Sequence, residues 1–368
     1  MKLIDQNGKI YESMREFCRL NKVSRSHFWE KFKKNGFYEN ILKGLKAYGC
    51  ENCNEHAIFL QPPTLKTEVD EEYENYKAVR GAEFNYYKID KAKHNAGERY
   101  AIALFSDAHI EETVDPANVL GLNEYNIEIA EQRIKAYFAN LATCLKRDKP
   151  NLLYFSVLGD IISGWLHESL QQENGMTPPE ATLFGQSLIV SGLKYLRDEL
   201  PELNIIFIGI CGNHSRITKK VQASNGFKLS YEWIMYQNIK QICEMLNLGI
   251  EFIIPESEVA LVQTPDNKRY IFCHGFQVQS KGTGTVAGIY PALGRLAMKW
   301  QKIFKQDKIF LGHYHTNVSI PTATVNGSII GYNAFALTNG MGFEDPAQQY
   351  EVFDSELGQL LSRKIYCK

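Results

Sequence analysis

Residues 100–109 read YAIALFSDAH, an unbroken apolar run that stops at Ser106, Asp107 and His109. Such an apolar run bounded by polar residues predicts a strand. The pattern recurs outward from it: residues 151–160, NLLYFSVLGD, and 204–214, NIIFIGICGNH, are further apolar runs that end on polar side chains. Between the runs, residues 126–147 (NIEIAEQRIKAYFANLATCLKR) and 181–200 (ATLFGQSLIVSGLKYLRDEL) carry helical periodicity. Alternation of strand and helix predicts an α/β core. Beyond residue 250 the strands shorten (FIIP, VALVQT, YIFCHG), a helix is expected around Leu293–Phe304, and KIFLGHYH leads into a tail with hairpin signals at Val325–Ser328 and Glu356–Gly358. The mixture predicts two sheets packed on one another with helices outside, an α/β (α+β) fold.

A chain of 368 residues exceeds what one hydrophobic core usually organises, so a smaller second domain is expected. Hydrophobic content of 44% with 23% charged residues excludes global disorder. No apolar run reaches the roughly 20 residues of a membrane helix, and MKLIDQNGKIYES lacks a signal-peptide pattern, so a cytoplasmic protein with no membrane partner is expected. The eight cysteines are scattered, which predicts reduced thiols rather than a disulfide framework. Cys50 and Cys53 form a CxxC with His56 behind it; no second pair follows, so a zinc site stays open.

Charge is uneven. Residues 1–48 hold eleven Lys/Arg against five acids, about +6 within a chain of net −1. Such asymmetry points to nucleic acid or another polyanion as a partner of the basic part. The opening residues predict a hairpin around Asn7-Gly8, then a helix from about Ser13 and a second, basic helix after Ser24, ending at Asn35-Gly36. Three segments are therefore expected: a basic helix-turn-helix-like module over 1–57, a linker and lead-in over 58–98, and a catalytic domain over 99–368.

The apolar runs deliver a particular set of residue types: Asp107 and His109, Asp160 after Gly159, Asn213 and His214 after Gly212, His274 before Gly275, and His313 and His315 around Tyr314. Five of the nine histidines fall here. In α/β layers the carboxyl ends of strands are where ligand sites gather. Carboxylate oxygens and imidazole nitrogens suit Mn, Fe and Zn, and two ions ~3.5–4 Å apart can hold both non-bridging oxygens of a phosphate ester while a bound hydroxide attacks in line. Each motif alone has a plainer reading: Gly-Asp and Gly-Asn-His are turn signals, and His274 in YIFCHGF is equally a core histidine. On a strand, His313 and His315 would share one face through the period of two.

In order, Asp-x-His, Gly-Asp, Gly-Asn-His, His and Gly-His-x-His resemble the signature of calcineurin-like metallophosphoesterases over about 104–316. The resemblance implies a four-layer β-sandwich flanked by helices and two divalent metal ions, manganese first, with iron or zinc as alternatives. It implies Asp107, His109, Asp160 and His315 at one ion, Asp160, Asn213, His274 and His313 at the other, and His214 as the acid at the leaving oxygen. The chain departs from the pattern at Ser215, where family members often carry an acid, and at IISGWLHES after Gly159-Asp160. Arg216 and His167 are the candidate substrate contacts; Arg216 reads equally as a surface arginine.

Residues 3–37 resemble the small NUMOD-type modules of homing endonucleases. That likeness implies phosphate contacts from Arg25, Lys31, Lys33 and Lys34, against the plainer reading of a solvated basic helix packed on its own domain. The catalytic part resembles the DNA-repair exonuclease branch and, more closely, phosphoesterases encoded by phages and prophages, on GDIISGWLHES and KGTGTVAGIYPALGRLAMKW. Together these imply a DNA exo- or endonuclease in a phage-infected or lysogenic bacterium; a homodimer fits the same branch. The alternative is a phosphodiesterase or phosphatase for nucleotides or another small phosphoester.

Overall fold

The computed structural model describes residues 3–5, 10–11, 58–59, 86–89, 99–166, 168–222, 224–278 and 289–368. The chain divides into two compact units, Met1–Glu83 and Phe84–Lys368. In the first, β1 (Leu3–Asp5) pairs antiparallel with β2 (Ile10–Tyr11), and β3 (Ile58–Phe59) adds to the other edge of β1. The expected helix pair, with Arg25, Lys31, Lys33 and Lys34, and the Cys50/Cys53 pair lie outside the described residues.

The second unit holds two six-stranded sheets. One runs β15-β14-β5-β6-β7-β8, where β5 (Arg99–Phe105), β6 (Leu152–Val157), β7 (Asn204–Gly209) and β8 (Ile250–Ile253) are parallel. The long hairpin β14 (Ala347–Asp354) and β15 (Gly358–Tyr366) closes it antiparallel to β5. The other runs β12-β13-β11-β10-β9-β4, from β4 (Tyr87–Lys88), β9 (Val259–Gln263), β10 (Arg269–Cys273), β11 (Lys308–Leu311), β12 (Val318–Ile320) and β13 (Ala323–Val325). Here β10, β11 and β13 are parallel.

The apolar runs are continuous because each strand has two buried faces. On β5, Tyr100, Ile102 and Leu104 enter the core between the sheets, with Tyr154, Ile206, Phe272 and Phe310. The alternate residues Ala101, Ala103 and Phe105 pack under the helices α1 (Ile127–Asp148), α3 (Pro178–Glu199) and α4 (Tyr231–Met245), against Phe138, Leu193 and Tyr236. The short helix α2 (Glu168–Glu173) precedes α3. On the far side, α5 (Tyr290–Phe304) covers Ile271, Ile309 and Leu311 with Leu293 and Ala297. The result is four layers, helix, sheet, sheet, helix. Asn126 caps α1 by accepting from the Ile129 N–H (2.9 Å), and Ser230 caps α4 by accepting from Glu232 N–H (3.1 Å).

At the amino end of β11 the sheets are joined by a buried ion pair, Lys308 Nζ to Glu351 Oε2 at 2.7 Å, and Glu351 also accepts from the Thr324 hydroxyl at 2.6 Å. Two local expectations are corrected. Val325–Ser328 is not a hairpin turn: Asn326 is fully buried, its Nδ2 donating to Ser106 Oγ (2.8 Å) and Gln348 Oε1 (2.7 Å), so its amide braces the two sheets. His313 and His315 do not extend a strand: β11 ends at Leu311, and both histidines adopt positive φ (73° and 51°). Among the described residues no helix is long and apolar enough to cross a membrane, and the cysteines Cys144, Cys211, Cys243, Cys273 and Cys367 are free.

Three glycines let the loops at the carboxyl ends approach one another. A Cβ on Gly159 would sit 2.3 Å from Gly212 N, one on Gly212 would sit 2.1 Å from Asp160 Oδ1, and one on Gly312 would sit 2.6 Å from Asp107 Oδ2. Gly294, mid-helix in α5, has nothing within 4 Å of its would-be Cβ. Gly212→Ala should therefore lower unfolding free energy by about 3 kcal/mol. Gly294→Ala should raise it by about 0.5–1 kcal/mol. Denaturant titration of both variants measures the contrast, and equal effects would contradict the close-approach argument.

Candidate metal centre

Every candidate side chain leaves the carboxyl end of a strand: Asp107 and His109 after β5, Asp160 after β6, Asn213 and His214 after β7, His274 after β10, and His313 and His315 after β11. The site thus straddles both sheets. Asp107, His109, Asp160, His313 and His315 all have φ between 47° and 73°. Non-glycine residues rarely enter this left-handed region, and when several do so at one place the strain marks a functional site held by its surroundings.

The structure brings the residues into two clusters. Asp107, His109 and His315 form one, and Asp160, His274 and His313 the other, with the ligand atoms of each group within 4.8 Å of one another. In the second cluster His274 Nε2 lies 2.9 Å from Asp160 Oδ2, 3.0 Å from Asn213 Oδ1 and 3.2 Å from His313 Nδ1. Its Nδ1 donates to the Leu158 carbonyl at 2.7 Å. In the first, His315 Nε2 lies 3.5 Å from Asp107 Oδ1, and the His109 and His315 rings are 5.2 Å apart.

The electrostatics follow from burial against charge. Burial pushes His109 down to about 3, helped by the neighbouring His214 and His315, and pushes His313 down to about 4, helped by His274. His274 is equally buried, but the charge and hydrogen bond of Asp160 overcome that and carry it up to about 9. Both His274 nitrogens face acceptors, so both hold protons in the metal-free site. Against desolvation, Asp107 is held below the usual carboxylate range by His315, and Asp160 well below it by His274 and His214.

A divalent cation fits this donor set. His109 Nε2 is buried with no hydrogen-bond partner among the described residues, an arrangement that costs roughly 1–3 kcal/mol unless a ligand satisfies it. The lone pair belongs to the cluster whose other members are a carboxylate and an imidazole, a borderline set suited to first-row metals.

His214 sits at the rim: its backbone N–H donates to Asp160 Oδ1 at 2.8 Å, its ring stands edge-on to His109 at 5.0 Å, and its Nδ1 donates to the Ser163 carbonyl at 3.2 Å. Ser215 hydrogen-bonds Ser230 (2.7 Å) in the interior, away from any role in supporting the His214 ring. Arg216 places its guanidinium on carbonyls of its own loop, those of Asn213 and Thr218. His167 lies outside the described residues.

Sequence reading missed the carboxylates that hold the loops. Glu232, fully buried in the first turn of α4, accepts from Ile161 N–H and Gly212 N–H, both at 2.6 Å, and so spans the Gly-Asp and Gly-Asn-His loops. Burial and the nearby Asp160 push it up to about 7. Glu111 accepts from the Gly164 N–H at 2.8 Å, and burial pushes it to about 7. The adjacent Glu111-Glu112 pair, one residue beyond the Asp-x-His motif, was the available signal; for Glu232 there was only an acidic residue at a helix start.

No protein-family model and no curated protein matches the chain. Among solved structures it is similar to the 5'-nucleotidase of Candida albicans SC5314 at 9% identity and a TM-score of 0.36, over 78% of this chain and 54% of that one. It is also similar to a protein assigned as a 5'-nucleotidase from Staphylococcus aureus, in complex with α-ketoglutarate, at 13% identity and a TM-score of 0.27, over 72% of this chain and 53% of that one. The chain spans about half the length of each.

Because His274 is raised from 6.5 to about 9, a cation at the second cluster must displace its proton. In the metal-free protein the raised value adds stability that is full below pH 6.5 and is lost as the pH rises through about 9. Mn²⁺ affinity runs the other way. It should strengthen by up to about tenfold per pH unit between pH 7 and 9, with proton release visible as a buffer-dependent calorimetric enthalpy. A flat affinity without proton release would contradict the assignment.

Proposed function

We propose that the chain is a metal-dependent phosphoesterase that hydrolyses nucleotides or another small phosphoester. The observation that carries this reading is the pair of Asp/His clusters at the carboxyl ends of both sheets, with His214 at their rim. Asp107, His109 and His315 would hold one ion and Asp160, Asn213, His274 and His313 the other, with Asp160 between. When bound, such ions polarise the phosphoryl oxygens and lower the pKa of the attacking water.

The chain's own groups do the rest. Glu232 ties the Gly-Asp loop to the Gly-Asn-His loop, and the glycine contacts let the neighbouring loops close on Asp160 and Asp107, which preorganises the site for developing charge. The Ser163 carbonyl accepts from His214 Nδ1 and so orients the ring, to which we assign the proton for the leaving oxygen. Arg216 stiffens the loop that presents Asn213.

The second reading, a DNA exo- or endonuclease, is favoured by the charge of about +6 in residues 1–48. On that reading Arg25, Lys31, Lys33 and Lys34 contact phosphates, and affinity for DNA falls with salt.

Hydrolysis with added Mn²⁺ of mononucleotides, cyclic nucleotides, bis-p-nitrophenyl phosphate and linear and circular DNA tests both. Nucleotide turnover lost in Asp160→Asn is expected. His214→Ala should reduce kcat on nucleotides by about 10²–10⁴-fold, and far less on the p-nitrophenyl ester, whose leaving group needs no acid. Cleavage of DNA without turnover of nucleotides would install the second reading, and hydrolysis of none would overturn both.

A further inference from the structure

Ser163 lies in the IISG stretch that follows Gly159-Asp160, and it is fully buried between His109 and His214. Its Oγ is 2.8 Å from His109 Nδ1 and 3.0 Å from Glu112 Oε2, while its carbonyl accepts from His214 Nδ1 at 3.2 Å. We infer that Ser163 and Glu112 are positioning residues that fix the tautomer of His109 and aim His214, so that one serine couples the first ligand cluster to the proton donor. The inference rests on the reading of His109 as a metal ligand.

The direction of the relay follows from counting protons. A serine hydroxyl has one hydrogen, and here it is donated to Glu112 Oε2, while Glu112 Oε1 accepts from Asn333. With the hydroxyl donating to Glu112, Ser163 Oγ has only lone pairs left for His109, so Nδ1 must carry the hydrogen. Nε2 is then bare, and Nε2 is the buried atom that no described residue satisfies. A histidine whose far nitrogen donates into a carboxylate-backed chain is the arrangement that orients a metal ligand and raises its basicity.

Glu112 is itself oriented. Asn333 Nδ2 donates to Glu112 Oε1 at 2.9 Å, and Asn333 Oδ1 accepts from Ala336 N–H at 3.0 Å at the start of the short helix α6 (Ala334–Thr338). That second bond decides which end of the amide faces Glu112: the oxygen is engaged, so a donor is presented.

The backbone half of the device is set by contact. Gly164 has φ +61°, and a Cβ there would lie 2.6 Å from the His214 carbonyl oxygen, so the two loops touch directly beside Ser163. Glu111 holds the Gly164 N–H while Glu112 holds the Ser163 hydroxyl. The consecutive acids after Asp107-x-His109 thus grip consecutive residues of the opposite loop.

The test uses the full chain. Long-range proton–nitrogen spectra of the metal-free protein should show His109 protonated at Nδ1; an Nε2-protonated ring would overturn the inference without any variant. Ser163→Ala should weaken one of two Mn²⁺ sites in calorimetry by about 10–100-fold and leave the other unchanged. Glu112→Gln should do the same and move His109 toward the other tautomer, because an amide can present a donor to the serine and reverse the relay. Ser163→Thr, which keeps the hydroxyl, should restore affinity. If the wild type binds two Mn²⁺ and hydrolyses nucleotides while both variants bind as tightly with the tautomer unchanged, the inference falls alone. If the wild type neither binds Mn²⁺ nor hydrolyses any ester, the functional reading falls with it.

Discussion

Asp107 and Asp160 are carboxylates with essentially no solvent contact, and a charge so placed is tolerated only where opposite charge and hydrogen-bond donors surround it. Much of the site answers that requirement. His274 and His315 face the two acids, the His313 N–H donates to both Asp107 oxygens (3.1 and 3.0 Å), the Ser106 hydroxyl donates at 2.5 Å, and the His214 N–H donates to Asp160. To bring donors from four loops onto two carboxylates the backbone must turn sharply, which explains the left-handed residues and the glycines beside them. Histidines that neutralise these acids without a metal are, once deprotonated, donors of the kind that suit a divalent cation. The same geometry serves both states.

The strand ends were legible because each apolar run is long and stops on a polar residue, and that pattern is local. Burial of both strand faces also accounts for the four layers: period-two side chains of β5, β6 and β7 feed one core under the helices and another between the sheets. What the sequence did not disclose is contact across long separations. Glu232 reaches Gly212 and Ile161 from another helix, and Asn326 reaches Ser106 across 220 positions. No periodicity encodes such pairs. Asn326-Gly327 has the composition of a hairpin turn, and only the polar groups it meets in the core make it a brace.

His313 and His315 show the limit of periodicity more sharply. Alternation assigned them a common strand face, yet His313 joins Asp160 and His274 while His315 joins Asp107 and His109. Gly312 makes the difference: with Ser106 and Asp107 packed where its Cβ would be, the chain leaves the sheet there and bends, sending the two imidazoles to different clusters. The spacing brought both histidines to the two clusters and misled about the backbone. A two-residue step is compatible with a strand and with consecutive left-handed turns, and only tertiary contact chooses.

Ser215 turns its side chain into the core, where it hydrogen-bonds Ser230, so the ring of His214 is oriented from another loop. A carboxylate next to a catalytic imidazole supplies both orientation and negative charge. In this chain the two functions are separated. The Ser163 carbonyl determines which ring nitrogen of His214 carries the inward proton, as an acceptor of fixed direction, and adds no full charge. Negative charge comes from Asp160, whose carboxylate holds the His214 backbone N–H. The loop that carries Ser163 is itself held by Glu111, through the Gly164 N–H, and by Glu112, through the Ser163 hydroxyl. Two loops that are far apart along the chain are therefore one unit in space, joined where Gly164 meets the His214 carbonyl and where the Ser163 carbonyl meets the His214 ring.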